Sequence, residues 1–208
     1  MNIYKLLLID AALVLAAIPI IFLLQSGKKK YPLLTSSSKA RLLSKTSYKL
    51  PKKEKLIELE KLANNQGSGI KFDSLVGDWK FISVWKKDID EEDLILSSLL
   101  RIFAANIKFK KDLPTEYLPR FLVIVSIQLG GLALEFSGTG YLKGEQPLLT
   151  FFLNLIELKS GSKRLLSRSI KEQKYKKKSF FTLIALGENG EWLSARGQGG
   201  SLVIWMKD

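Results

Sequence analysis

From Phe121 onward, short segments with a period of two follow one another, and this is the strongest constraint on the fold. They are rich in β-branched and aromatic residues, as strands are, and turn sequences such as Gly130-Gly131 separate them. The segments are 121–129, 132–143, 148–159, 164–174, 180–186, 191–195 and 202–206. Strands joined in sequence by short turns favour an antiparallel meander over a parallel α/β sheet.

One further strand is predicted at residues 75–85, Leu-Val-Gly-Asp-Trp-Lys-Phe-Ile-Ser-Val-Trp. Gly77 would let the backbone pass close to a neighbour while the Trp79 indole lies flat against a barrel base. An ordinary strand with a core tryptophan is the alternative. About eight strands can close into a barrel that fills with side chains or holds one small ligand. We therefore predict a mainly β fold, an antiparallel barrel with N-terminal helices.

Two helices are predicted outside the strands. Residues 52–64 carry one apolar stripe on a segment otherwise covered by Lys and Glu, which suits a helix that caps the barrel or contacts a membrane or partner. Residues 94–107 have an apolar face wide enough for a core, and for covering an open barrel mouth. The acidic cluster at 88–93 lacks the ligand spacing of a calcium loop. Its acids suit the N-cap and first turn of the second helix.

The N-terminus predicts a membrane anchor. Residues 6–24 are apolar except for Asp10, just long enough to cross a bilayer as one helix. A cleaved signal peptide is the alternative, but no Ala-x-Ala-like site follows. Lys28, Lys29 and Lys30 come directly after the segment, so the positive-inside rule places the rest of the chain on the cytoplasmic side. We divide the chain into an anchor helix at 1–25, a basic tether at 26–50 and a barrel domain at 51–208.

Composition excludes several classes of function. The chain has no Cys and no His, which removes disulfides, thiolate chemistry and the usual general base and metal ligand. We predict no catalytic residue, no metal site and no cofactor.

The glycines at 197–200 do not precede a helix and lack the Gly-Lys-Ser/Thr ending of a phosphate loop, so a bulge or tight crossing is the simpler interpretation.

The positive charge points to a membrane surface. The formal net charge is +13, and residues 26–63 carry eleven Lys or Arg against three Glu. Lysines beside an apolar segment are drawn to anionic head groups, so we assign Lys28, Lys29 and Lys30 to the membrane surface. The basic turn at 174–178 is a solvated hairpin end or a second contact with lipid or nucleic acid. Aromatic residues are not interleaved with the basic clusters, and we predict no nucleic-acid partner.

Both ends of the predicted barrel resemble the plastid lipid-associated proteins, the PAP/fibrillin family of plastids and cyanobacteria. The resemblance rests on a short helix at 55–60 followed by Leu75-Val76-Gly77-Asp78-Trp79, and on Ala195-Arg196-Gly197 followed by residues 200–207. The segment at 88–178 and the residues just before Arg196 depart from the family pattern. The resemblance implies a lipocalin-like barrel, thylakoid association and binding of isoprenoids, quinones or carotenoids.

In lipocalin-like barrels an arginine near the last strand can lie over the tryptophan of the first. We assign this contact to Arg196 and Trp79, and count Gly77 and Gly197 with them as barrel-closing residues.

Two functions stay open. The first is a membrane-anchored carrier of a lipophilic small molecule at the thylakoid or plasma membrane, with Phe81, Phe136, Phe152 and Trp205 as candidate lining residues. The second is a scaffold with a solid barrel, whose lysine-rich turns hold an acidic membrane-associated protein.

Overall fold

The computed structural model describes residues 50–87, 91–111, 120–144, 147–170 and 179–208. Within these ranges the helices are α1 (Lys53–Gln66), α2 (Phe72–Leu75) and α3 (Leu94–Ile102). The strands are β1 (Gly77–Trp85), β2 (Asn106–Lys111), β3 (Arg120–Leu129), β4 (Leu132–Lys143), β5 (Leu148–Ser160), β6 (Lys163–Ser169), β7 (Ser179–Leu186), β8 (Trp192–Gly197) and β9 (Leu202–Lys207).

The strands form one antiparallel sheet that closes on itself. β1 pairs with β2 along one edge and with β9 along the other, with Trp79 opposite Lys207 and Trp85 opposite Leu202. Around the ring the order is β1, β2, β3, β4, β5, β7, β8 and β9, so each strand lies beside its neighbours in the chain apart from β6. The predicted mainly β, antiparallel meander is confirmed.

Strand β6 extends the ring at one place. The second half of β5 pairs with β6, and Leu148–Phe151 at its start pair with residues 179–182 of β7. Both partners use the edge of β5 that β4 does not occupy, and both run antiparallel to it. β6 and β7 therefore lie end to end along one edge.

The antiparallel order gives the ring two distinct ends. We call one of them the α3 end, because β1 stops and α3 begins there. The turns at 129–132, 160–163 and 197–202 lie at the same end. The turns at 143–148 and 186–192 and the start of β1 lie at the opposite end. Helix α3 belongs to the connection from β1 to β2, so it is held at the α3 end.

Helix α3 is shorter than the prediction of 94–107. It stops at Ile102, and Ala104 takes a φ of 43° before β2 begins at Asn106. No glycine marks this helix end, and residues 106–111, with Ile107 and Phe109 facing inward, form a strand that the sequence analysis missed. The predicted helix at 52–64 is confirmed as α1, with its end two residues later.

Two apolar clusters hold the fold together. The interior of the ring contains the larger cluster, with Trp79, Phe109, Phe121 and Phe151 almost fully buried. Helix α1 covers the second cluster, on the outer face of the sheet, where Leu56 packs with Ile184, Ala185, Leu202 and Ile204. The helix thus caps the wall of the ring.

The predicted membrane anchor at 1–25, the tether up to residue 49 and the lysines at 28–30 lie outside the described residues. So does the basic turn at 174–178. In the part of the chain that the structure describes, no helix has the length and apolarity to span a bilayer.

Candidate functional site

Helix α3 is fixed to the end of β1 by polar contacts. The Asp93 carboxylate accepts a hydrogen bond from the Leu96 N–H at 3.1 Å, which confirms an acidic N-cap. The buried Ser97 hydroxyl accepts the Val84 N–H at 3.0 Å, and the Val84 carbonyl accepts the Asp93 N–H at 2.9 Å. These bonds position the helix so that Leu100, which is fully buried, points into the ring.

Next to Leu100 the interior of the ring contains a cavity of about 50 Å³. We call its two lining residues from the β1–β2 connection, Leu100 and Ala105, the roof, and its aromatic lining residues Phe151, Phe181 and Trp205 the floor. The Phe151 and Phe181 ring centroids are 5.6 Å apart, and the Phe181 ring meets Trp205 edge-on at 5.3 Å. The walls are formed by Phe81, Asn106, Ile107, Val125 and Ile127.

The cavity is apolar in character. Asn106 is the polar residue among those that line it, and its Oδ1 atom accepts a hydrogen bond from the Ser126 hydroxyl at 2.8 Å. None of the lining side chains titrates. Burial of a charged group here would leave that charge without a partner, which is strongly unfavourable. The arrangement therefore suits an uncharged hydrocarbon group and no acid–base chemistry.

The cavity is also small. An apolar cavity that holds benzene has a volume of about 150 Å³, three times that of the space under Leu100. A whole isoprenoid chain does not fit this volume. As the cavity stands, it can accept only the end of such a chain.

The structure brings two of the four predicted lining residues to the cavity. Phe81 and Trp205 line it. Phe136 is buried in the same core but is not among the lining residues, and Phe152 is only half-buried while its neighbour Phe151 forms part of the floor. Successive strand residues point to opposite faces. The sequence did not show which of the two adjacent phenylalanines, 151 or 152, faces the interior of the ring.

The contact predicted between Arg196 and Trp79 is wrong. Trp79 lies at the start of β1, at the opposite end, and Arg196 lies where β8 ends, at the α3 end. The fully buried Trp79 donates its indole N–H to the Leu75 carbonyl at 2.7 Å, and the Lys207 ammonium lies 5.2 Å from its ring centroid. Lys207 makes the cation–π contact because it is the register partner of Trp79 on β9.

Arg196 instead joins helix α1 to the ring. Its Nε atom donates to the Glu60 carboxylate at 2.8 Å, a second guanidinium nitrogen also bonds that carboxylate, and Nη1 donates to the Gly200 carbonyl at 2.9 Å. Both charged side chains are mostly buried, with 26% and 19% of their surface exposed. A bidentate pair of this kind fixes the orientation of the helix.

The two predicted barrel-closing glycines have separate roles. Gly77 has a φ of 136°, and a Cβ there would meet the Lys207 Cε atom at 2.8 Å, so the glycine gives the lysine room to cross Trp79. Gly197 is buried and forms the β8–β9 turn, since its N–H donates to the Ser201 carbonyl and its carbonyl accepts the Gly200 N–H, both at 2.8 Å. The glycines at 197–200 therefore shape a turn and not a phosphate loop.

A charge network lies on the outer face of β4, β5 and β6. Lys159 bonds Glu135 at 2.6 Å and Glu157 at 3.2 Å, and Arg164 bonds Glu157 at 3.1 Å. The hydrogen bond from Arg164, and then Lys159, lowers the pKa of Glu157 although burial opposes this. The hydrogen bond to Glu135 raises the pKa of Lys159, although burial lowers it. The network holds both side chains charged and stabilises the projecting strands.

Among the described residues, acidic side chains nowhere gather in a group that could hold a metal ion. The chain was compared with protein-family models, with curated proteins and with solved structures, and none of them matches it.

Proposed function

We propose that this chain is a membrane-anchored carrier that holds the apolar end of a lipophilic small molecule, of the isoprenoid, quinone or carotenoid class, under helix α3. The observation that carries the proposal is the cavity inside the ring, bordered by Leu100 and lined by hydrocarbon and aromatic groups. Ligand pockets are mostly apolar with few polar groups, and here Asn106 is that group. Such a ligand needs no catalytic residue.

The size of the cavity sets how the ligand binds. About 50 Å³ accepts the end of a chain, so the remainder must lie between α3 and the rim or displace side chains of the core. Leu100 is the gate in this proposal, because its removal from the cavity joins the interior to the surface of α3.

The family and location are part of the same proposal. A lipocalin-like barrel of the PAP/fibrillin type is supported by the meander whose first and last strands pair, with Gly77 and Trp79 at the start of β1. The apolar segment at 6–24 and Lys28, Lys29 and Lys30 support a single-pass anchor at a thylakoid or plasma membrane, with the C-terminal domain on the cytoplasmic or stromal-type side.

A scaffold that binds an acidic membrane-associated protein is the second candidate. The small cavity favours it, because the rest of the ring interior is filled with side chains such as Phe109 and Phe121. In this case the ring would serve as a rigid support, and the lysine-rich turns would bind the partner.

The first experiment is purification of the full-length chain from its native membranes, followed by organic extraction and mass spectrometry. A single lipophilic species retained at near-stoichiometric yield is expected for the carrier. An empty chain that co-purifies with a crosslinked protein would favour the scaffold.

A matched pair of variants locates the ligand. Ala105→Val adds two methyl groups to the roof of the cavity, and Ala133→Val makes the same change at a half-buried position that does not line it. We expect the first variant to lose the extracted species and the second to retain it. Equal retention by both would place the ligand elsewhere.

A further inference from the structure

Helix α3 carries apolar residues on both of its sides. Leu96 and Leu100 face the ring, as the core requires. The other side carries Leu94, Ile95 and Ile102, of which Leu94 is 65% exposed and Ile102 72% exposed. A surface helix normally places polar residues on its outer side. Here Arg101 is the exposed charged residue of the helix, and the exposed Leu and Ile side chains occupy the rest of that side.

The remaining exposed apolar side chains gather at the same end of the ring. Eight large apolar residues are exposed in the described ranges, and seven of them belong to α3, the β3–β4 turn or β6. Leu62, on α1, is the exception. The seven are Leu94, Ile95, Leu99, Ile102, Leu129, Leu132 and Leu165. We call this group the apolar end surface.

The apolar end surface is continuous with the roof of the cavity. The Gln128 N–H donates to the Phe103 carbonyl at 2.6 Å, which holds the end of α3 against the base of the β3–β4 turn. Ile102 directly precedes Phe103, and Leu129 directly follows Gln128. The helix and the turn therefore present their apolar side chains together.

Cations flank this surface. Lys87, Lys163 and Arg168 are exposed at the α3 end, and none of them forms an ion pair with the described residues. Two of the three described acids beside the helix are neutralised, because Lys86 bonds Asp93 at 2.8 Å and Arg101 bonds Glu92 at 3.4 Å.

Glu91 is an exposed acid at the start of the same connection and forms no described ion pair. Among the described residues at this end, Glu91 is the one unpaired anion, against three cations that form no ion pair with described residues, so their unpaired charges sum to a positive value.

We propose that the apolar end surface docks on an anionic lipid bilayer, with the axis of the ring upright and α3 lying in the head-group region. Leucine and isoleucine side chains would enter the acyl boundary while the flanking cations contact phosphate groups. Every exposed large apolar residue here is Leu or Ile. Protein interfaces are instead anchored by aromatic residues and arginine, and Leu is under-represented among their hot spots.

The inference goes beyond the proposed function, because docking at this surface needs neither a ligand in the cavity nor the N-terminal anchor. If both hold, the roof of the cavity faces the membrane from which a lipophilic ligand comes.

The test uses the absence of native cysteine in the chain. Ile102→Cys and Leu129→Cys each place a single fluorescent label on the apolar end surface, and Asn189→Cys places the control label on the exposed β7–β8 turn at the opposite end. The full-length chain is reconstituted into phosphatidylcholine vesicles with and without phosphatidylglycerol, and nitroxide-labelled lipid is added as quencher.

We expect quenching at positions 102 and 129 but not at 189, stronger when phosphatidylglycerol is present. Replacing Lys163 or Arg168 by Gln should lower the docked-to-undocked ratio by about fivefold each, the effect of one cation near an anionic surface.

Three results would overturn the proposal. Labels at 102 and 129 that stay in water on vesicles would show that the surface does not dock. Labels already shielded without lipid would show that another part of the chain or a second copy covers it. Equal quenching with and without phosphatidylglycerol would exclude the role of the cations.

Discussion

Leu100→Ala tests the cavity and its roof together. The change removes three carbon atoms, a loss of about 2.4 kcal/mol at roughly 0.8 kcal/mol for each methylene. If about 80 Å³ of the vacated space stayed empty, the cavity term of roughly 24 cal/mol per Å³ would add about 1.9 kcal/mol. Leu100 already lacks neighbours on the side of the existing cavity. The total loss of unfolding free energy should therefore fall between the transfer term alone and the sum of the two terms, at about 3 kcal/mol.

The same change should create a binding site. The vacated space of about 80 Å³ adds to the about 50 Å³ already present. The sum approaches the roughly 150 Å³ that holds benzene. Benzene should therefore raise the free energy of unfolding of Leu100→Ala, because it binds the folded state alone.

Urea unfolding of residues 50–208, with and without saturating benzene, measures both effects. Leu183→Ala is the matched control, since Leu183 is equally buried in the same cluster but does not line the cavity. Its cost should be larger, near 4 kcal/mol, and benzene should not restore it. A cost below about 1 kcal/mol for Leu100→Ala, or equal rescue of both variants, would refute the description of α3 as a roof over a cavity.

Two further predictions concern charged groups. Arg196→Ala should lower the free energy of unfolding by about 1–2 kcal/mol, and a double-mutant cycle with Glu60→Gln should give a coupling of about 1 kcal/mol in urea titrations; additive effects would contradict the bidentate pair. Because the hydrogen bond from Arg164 lowers the pKa of Glu157, the stabilisation is present above the unfolded pKa and is lost as pH falls through the folded value. The urea midpoint should therefore fall less between pH 7 and pH 3 in Glu157→Gln than in the parent chain, and parallel pH profiles would count against the network.

The strands could be predicted from the sequence because each carries its own alternation of inward and outward residues. β2 was missed for a local reason. Its residues follow a helix with no glycine between them, and Ala104 adopts the positive φ that a glycine or asparagine usually provides. A periodicity of apolar residues continued across this boundary and hid it.

The cavity could not be predicted, because it is a gap between side chains from separate elements. Phe81, Leu100 and Phe151 are each ordinary core residues, and nothing in their own segments shows that they fail to meet. The position of Arg196 was open to deduction. Once β1 and β9 pair antiparallel, Trp79 at the start of one must face the end of the other, which is Lys207.

The end-to-end arrangement of β6 and β7 leaves the ring with a seam. β5 is joined to β4 along its whole length, but on the other side only Leu148–Phe151 are joined to β7. Phe151 and Phe181 lie in that short ladder and form the cavity floor. A closed sheet parts most readily where few hydrogen bonds must break together, so local opening of the ring is expected at this ladder and at the equally short β1–β2 ladder.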